Sequence, residues 1–505
     1  MTQPWRQTSV LLALGVLLFG IAFSHEATAA IHVWLVSTAY NHCWLILPIA
    51  AYLAWERRAG LAHLTPSAEP RAALLAIPFA LGWLLANRLG IMEGRQLAAM
   101  ALLQCLILGV IGRKAYWYFR APLWYLFFLV PFGGFLVAPL QHFTAVFAAD
   151  GLSLLGIAHY LHGTTIEISA GAFRIAQACA GLRFLIAAIA FAVLYALVIF
   201  RSTGRRLIFI AVCLVVPVIA NGFRALGIIW LGYAEGSAKA AATDHVLYGY
   251  IFFSIVLLII ILLGLPFRED HAPPQLPPDT ESSDTESMVA SHPTSAPTQP
   301  PSQPKARITA ALAVLAISLA APITAVALDR IARATKVNPP TQLADCRLSA
   351  SPTARLPSGA VRRDFTCANA MRVTIVAFPP ATTPEPIFDL RRTLGLINLR
   401  EAHLGLISPA GRTTPHWQLA VSKHGHHRAA SDLLINGHLT LGSLLTRLHM
   451  VASRPSPPAA QLVIILTPKP GQSASRTAIS QALASPALSH ASLRQFAQAA
   501  LRSPQ

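Results

Sequence analysis

Residues 207–231 read LIFIAVCLVVPVIANGFRALGIIWL, with Arg224 as the one charged residue in the run. The stretch is longer than the roughly 20 residues needed to cross a hydrocarbon core about 30 Å thick. It predicts a membrane-spanning helix with its guanidinium turned toward other helices. An arginine deep in a span costs about 2.5–3.5 kcal/mol on insertion scales and is tolerated where it faces protein. Reading outward adds apolar runs at residues 9–24, 32–54, 72–90, 97–112, 121–140, 184–200 and 246–266, and a last one at 308–328.

Composition agrees with that reading. The 505 residues are 54% hydrophobic and 12% charged, and mean hydropathy is +0.53, the signature of a polytopic membrane protein. The expected fold class is an all-α polytopic membrane protein, a helical bundle of about eight spans, followed by a ninth span and a small α+β soluble C-terminal domain. The expected domains are a transmembrane catalytic domain over 1–268, a linker over 269–306, an additional transmembrane helix over 307–329 and a soluble domain over 330–505.

A formal charge of +18 raises the question of nucleic acid, but the basic residues do not line one amphipathic face. They sit in short loops between apolar runs: Arg57, Arg58 and Arg71, then Arg113, Lys114 and Arg120, then Arg201, Arg205 and Arg206, then Arg268 through Arg307. Such clustering is topology signalling, so no nucleic-acid partner is expected. With the N-terminus cytoplasmic, every dense basic cluster falls inside. The opposite loops hold only Arg88, Arg95, Arg174, Arg183 and Lys239. The expected localisation is the bacterial inner membrane, with the C-terminal domain in the periplasm. Ala27-Thr28-Ala29 resembles a signal-peptidase site, but a cut there would leave the downstream topology unchanged.

Segment 267–306 is rich in Pro, Ser, Thr and acidic residues, as in Pro293-Thr294-Ser295-Ala296-Pro297, and reads as a flexible linker. Beyond the ninth span, strands are expected at 372–378, 417–422 and 461–467, with helical patterns at 387–399 and 441–451. Of the six cysteines, Cys43, Cys105 and Cys213 lie in apolar runs, and no CxxC or Cys/His ligand spacing occurs. No metal or other cofactor is therefore expected. Cys346 and Cys367 fall in the compartment read as periplasm, which is oxidising, so a disulfide closing a loop of about 20 residues is expected, the alternative being two unpaired thiols.

Cys179 stands in Arg174-Ile175-Ala176-Gln177-Ala178-Cys179-Ala180-Gly181-Leu182-Arg183, at the outer boundary just before the sixth span. The seventh span rises from Arg206 at about 1.5 Å per residue, which lifts Asn221 and Arg224 to roughly 22 and 27 Å, toward the same boundary. His245, in Thr243-Asp244-His245-Val246-Leu247-Tyr248-Gly249, opens the eighth span at that level. Three segments thus deliver a thiol, a guanidinium and an imidazole to one depth. A cysteine of ordinary pKa is only a few per cent thiolate at neutral pH and needs such help. His245 suits the role of general base and acid, and Arg224 that of thiolate or oxyanion stabiliser. Taken singly, each has a plain alternative: a filler cysteine, a snorkelling arginine, a solvated histidine.

These blocks resemble the exosortase and archaeosortase family of membrane-embedded processing enzymes. Ala178-Cys179-Ala180-Gly181-Leu182-Arg183 is similar to its Cys-x-Gly-Leu-Arg block, Ala220-Asn221-Gly222-Phe223-Arg224-Ala225 to its Asn-x-x-Arg block, and Asp244-His245-Val246-Leu247-Tyr248-Gly249 to its Asp-His-x-x-Tyr-Gly block, in the same order. The resemblance covers roughly residues 10–268. It implies a cysteine peptidase or transpeptidase with nucleophile Cys179 and partners Arg224 and His245, supported by Arg183, Asn221 and Asp244. It also implies exported protein substrates ending in a short motif, a transmembrane helix and a basic tail, as in PEP-CTERM-type signals, cleaved at the outer face of the lipid bilayer. Some family members carry an outside domain with a Cys-x-Pro-Gly pattern. Neither Cys346 nor Cys367 begins one, so the second half stays unassigned.

Other polar residues carry less. His142, Asp150, His159, His162 and Glu167 read as residues of an outer loop over 141–183, with Thr164-Thr165-Ile166-Glu167-Ile168 alternating like a strand. His424-Gly425-His426-His427 lacks a carboxylate or cysteine at ligand spacing and reads as solvated loop. His25, His32 and His42 share no helical face and read as interfacial polar residues. A transporter or exopolysaccharide-export subunit is the rival reading, but it predicts acidic residues or broken half-helices near mid-membrane, and these spans are almost free of Asp and Glu. A structural scaffold for the C-terminal domain needs no site at all, and the triad is what it leaves unexplained.

Overall fold

The computed structural model describes residues 3–236, 245–269 and 304–344, and thereafter the strands and helices named below with their adjoining turns. Contacts divide the chain into two compact units, residues 1–79 with 96–318 and residues 80–95 with 319–505.

Helices dominate the first unit: α1 (Gln3–Ala22), α2 (Ser24–Val36), α3 (Cys43–Glu56), α4 (Arg71–Leu89), α5 (Met92–Ile111), α6 (Arg113–Tyr118), α7 (Arg120–Tyr125), α8 (Val137–Leu154), α9 (Leu182–Ile199), α10 (Thr203–Glu235) and α11 (His245–Gly264), with α12 (Pro304–Ala334) entering it. Among the described residues seven helical stretches are long and apolar enough to cross a bilayer: Gln3–Ala22, Arg71–Leu89, Met92–Ile111, Gly134–Leu154, Leu182–Ile199, Thr203–Glu235 and Pro304–Ile331. A polytopic helical bundle follows, as composition and apolar runs lead one to expect.

Two expected spans take a different form. The run over 32–54 is shared between α2 and α3, parted by turns at 37–42. The run over 121–140 breaks after α7 and a short 3₁₀ turn, Leu126–Leu129, and the long helix follows at α8. Pro131 explains the break. It lacks an N–H and drives the preceding residue out of helical conformation, and Val130 indeed has φ −77° and ψ 120°. Gly133 then turns with φ +116°. What the sequence shows as one outer loop over 141–183 is therefore a helix followed by the antiparallel sheet β1 (His159–His162), β2 (Thr165–Ile168) and β3 (Gly171–Arg174).

Alternation seats this sheet. Ile166 and Ile168 of β2 are buried with Ala145, Ala148 and Leu152 of α8 and Ala225 and Ile229 of α10, while Glu167 between them is exposed. Close approach of α8 and α10 depends on Gly222, where a Cβ would lie 2.5 Å from the Phe147 ring, and on Gly151, equally close to Leu226. At the other end of α9 and α10, Glu269 accepts the N–H groups of Arg201 and Ser202, both at 2.9 Å, and pairs with Arg205 at 3.1 Å. Those N–H groups hold its carboxyl below the usual carboxylate range.

In the second unit an antiparallel sheet runs in the order β4 (Gln342–Leu343), β5 (Cys346–Leu348), β7 (Val361–Thr366), β8 (Met371–Phe378), β13 (Gln461–Pro468), β11 (Arg428–Ile435), β10 (Trp417–Ser422) and β9 (Ala402–Ile407), with β6 (Ala354–Arg355) beside β7 and β12 (His438–Thr440) beside β11. Strands expected at 372–378, 417–422 and 461–467 are β8, β10 and β13. Central strands β8 and β13 are buried on both faces, which accounts for their near-continuous apolar sequences. Val373, Ile375 and Ala377 meet α13 (Arg476–Leu483) and α14 (His490–Ala499) through Ile479, Leu493 and Phe496, and the opposite face holds Val376, Phe378, Val463 and Ile465. Ser475 and Ser489 cap the two helices. Cys346 and Cys367 are joined by a disulfide with Cα atoms 4.2 Å apart. Helical patterns at 387–399 and 441–451 fall largely outside the described residues, as does most of the linker over 267–306.

Arg88 and Arg95, which stand out as charges at the ends of two spans, both find partners within this unit. Arg88 pairs with Asp329 of α12, and Arg95 lies over the Trp83 ring at 5.1 Å.

Candidate active site

The thiol-bearing turn is built locally. After β3 the chain makes a 3₁₀ turn over Gln177–Cys179, with Cys179 N–H donating to the Ala176 carbonyl at 2.8 Å, and Gly181 opens α9 with φ +82°. A side chain there is excluded twice over, by the left-handed backbone and because a Cβ would lie 2.7 Å from Asn221 Cγ. Cys179 is partly exposed, whereas Cys43, Cys105 and Cys213 are buried.

Asn221 joins three elements. Its Nδ2 donates to the Cys179 carbonyl oxygen at 2.9 Å and to Thr144 Oγ1 of α8 at 3.1 Å, while Oδ1 accepts from Arg224 Nε at 3.3 Å. Thr144, Asn221 and Arg224 are 1%, 2% and 1% exposed, so these bonds form away from water, where an unpaired polar group is costly. One turn before Thr144, Gln141 donates to the Ile175 carbonyl and ties down the other side of the same turn.

The guanidinium of Arg224 extends toward the start of α11. A Cβ on Gly249 would lie 3.6 Å from Arg224 Nη1 and 4.0 Å from Arg183 Nη2. Both guanidinium carbons flank the Phe184 ring, at 5.7 Å for Arg224 and 5.0 Å for Arg183, and Phe184 stacks on Phe253 at 4.7 Å. Arg224 Nη2 is buried and finds no partner among the described residues. Position 245 begins α11 one turn before Gly249 and shares its helical face. The His245 side chain and all of Asp244 lie outside the described residues.

Of the residues singled out in the sequence, Cys179, Asn221, Arg224 and Arg183 come together here, and Gly249, one turn after position 245, lies against the two guanidiniums. His142 and Asp150 lie on α8, His159 and His162 on β1, and Glu167 on β2. The cluster at 424–427 is outside the described residues, and among those that are described no group of three or more His, Cys, Asp or Glu is placed to hold a metal. Thr144, Gln141 and Phe184 are the residues that reading the sequence missed.

Several apolar helices arranged around a buried arginine define a multi-pass membrane protein. Residues 34–262, a little under half of the chain, match the family model described as transmembrane exosortase (Exosortase_EpsH). No curated protein and no solved structure matches the chain.

Proposed function

We propose that the protein is an exosortase-type cysteine peptidase or transpeptidase of the bacterial inner membrane, acting on the C-terminal sorting signals of exported proteins at the periplasmic face. The observation that carries this reading is the asparagine link, which holds the Cys179 turn and the Arg224 guanidinium on one side chain.

His245 takes the Cys179 proton, and the thiolate attacks the scissile carbonyl carbon. Arg224, buried and with Nη2 unpartnered among the described residues, stabilises the oxyanion. Collapse of the tetrahedral intermediate breaks the C–N bond, the leaving amine receives the proton back from His245, and a thioester remains on Cys179. Water or an amine acceptor then releases the acyl group and restores the thiol. Arg183, against the same Phe184 ring, adds positive potential. The substrates are exported proteins whose C-terminus carries a short motif, a transmembrane helix and a basic tail. A fixed thiol, a buried cation and spans almost free of carboxylates favour this reading over a transporter.

The test is co-expression with an exported protein bearing such a terminus, scored as a size shift. Wild type shifts the substrate, while Cys179→Ala, Arg224→Ala and His245→Ala leave it intact. A shift with all four overturns the assignment.

A further inference from the structure

Among the described residues, the sheet over 159–174 has an open edge that leads to the thiol. β3 is terminal in the order β1-β2-β3, and Gly171, Ala172 and Arg174 are exposed. The direction of its peptide groups follows from the register. Thr164 and Ile175 stand one step beyond the Thr165–Arg174 pair, and Ile175 N–H donates to the Thr164 carbonyl at 2.9 Å. Opposed residues in an antiparallel ladder alternate between bonded and non-bonded pairs. Ile166–Phe173 and Ile168–Gly171 are therefore bonded pairs, and Glu167–Ala172 is a non-bonded one. The N–H and C=O of Ala172 thus point away from β2, off the edge of the sheet.

Edge strands of this kind are usually blunted with lysine, proline or a bulge. β3, Gly171-Ala172-Phe173-Arg174, has none of them, its one charge is Arg174 at the end nearest Cys179, and its first two residues are small and exposed. The strand is also fixed to the catalytic scaffold. Phe173 packs on Gly232 of α10 so tightly that a Cβ there would lie 2.3 Å from its Cζ, and α10 carries Asn221 and Arg224. Only the short stretch 175–178 separates β3 from Cys179, and Gln141 pins it at Ile175.

Resting on the reading above, we propose that the substrate's extended segment beside the scissile bond adds to β3 as a fourth strand, exchanging two backbone hydrogen bonds with Ala172. Strand addition of this type draws affinity from the main chain and tolerates variable side chains.

Ala172→Pro removes the outward N–H while leaving the β2 ladder intact, and Ala172→Val keeps both outward groups. With the co-expressed substrate as probe, Ala172→Pro is expected to slow processing by about fivefold to tenfold, the worth of one hydrogen bond, and Ala172→Val to process normally. Proline placed in turn at each substrate position flanking the cleaved bond provides a measurement on unaltered enzyme, with loss expected at alternate positions. Failure of wild type to process the unaltered substrate overturns the enzyme reading and this proposal with it. Processing by wild type with Ala172→Pro equally active and no alternation in the substrate overturns strand addition alone. So does an Ala172→Pro effect confined to oligomeric state, which would assign the edge to a second copy of the chain.

Discussion

Asn221 donates to the carbonyl oxygen of Cys179 at 2.9 Å. That bond ties the turn carrying the thiol to the helix carrying Arg224, so the relative placement of the two groups depends on one carboxamide. Asn221→Ala is expected to leave the Cys179 carbonyl and Arg224 Nε without this partner, at a cost of about 1–3 kcal/mol, and to reduce substrate processing more than it reduces thermal stability. Thr144→Val removes the remaining Nδ2 partner and is expected to cost about 1 kcal/mol, with Thr144→Ser restoring it. Melting of the purified protein beside its processing rate checks both.

Gly181→Ala tests the turn from the other side. A left-handed backbone at φ +82° costs a non-glycine residue roughly 1–2 kcal/mol, and the new methyl must displace Asn221. Reduced processing and a lower melting temperature are expected together, whereas Gly20→Ala, where a Cβ meets nothing within 4 Å, should change neither.

Some of this was legible in the sequence, and some was not, for identifiable reasons. Apolar length alone locates the helices at Leu182–Ile199 and Thr203–Glu235, and near-continuous apolar runs locate the strands Met371–Phe378 and Gln461–Pro468. Misreading centred on Pro131 and Gly133, which end one apolar run and allow another helix to begin, so that α8 reads as loop. Once α8 is lost, Gln141 and Thr144 become two polar residues among many. Their shared role depends on i, i+3 spacing along a helix that hydropathy does not delimit. Cys179, Asn221 and Arg224 were legible because polar residues at the ends of apolar runs are few. Gly249 looks like one more small residue until a guanidinium is seen lying against it.

The disulfide lies within the second unit, so its removal tests that unit independently of the site. Cys346→Ser with Cys367→Ser is expected to cost the sheet over 342–468 about 2–4 kcal/mol. Non-reducing electrophoresis of the full chain should lose its reductant-dependent mobility shift, and processing should persist at a temperature where the sheet is still folded.

The most direct measurement is the mass of the Cys179-containing peptide, recovered from wild-type membranes quenched in acid during processing of a co-expressed substrate. The account predicts a hydroxylamine-labile thioester on Cys179 carrying the substrate's new C-terminus, enriched when acceptor amines are depleted. An adduct on Cys43, Cys105 or Cys213 instead, or continued processing by Cys179→Ala, would contradict it.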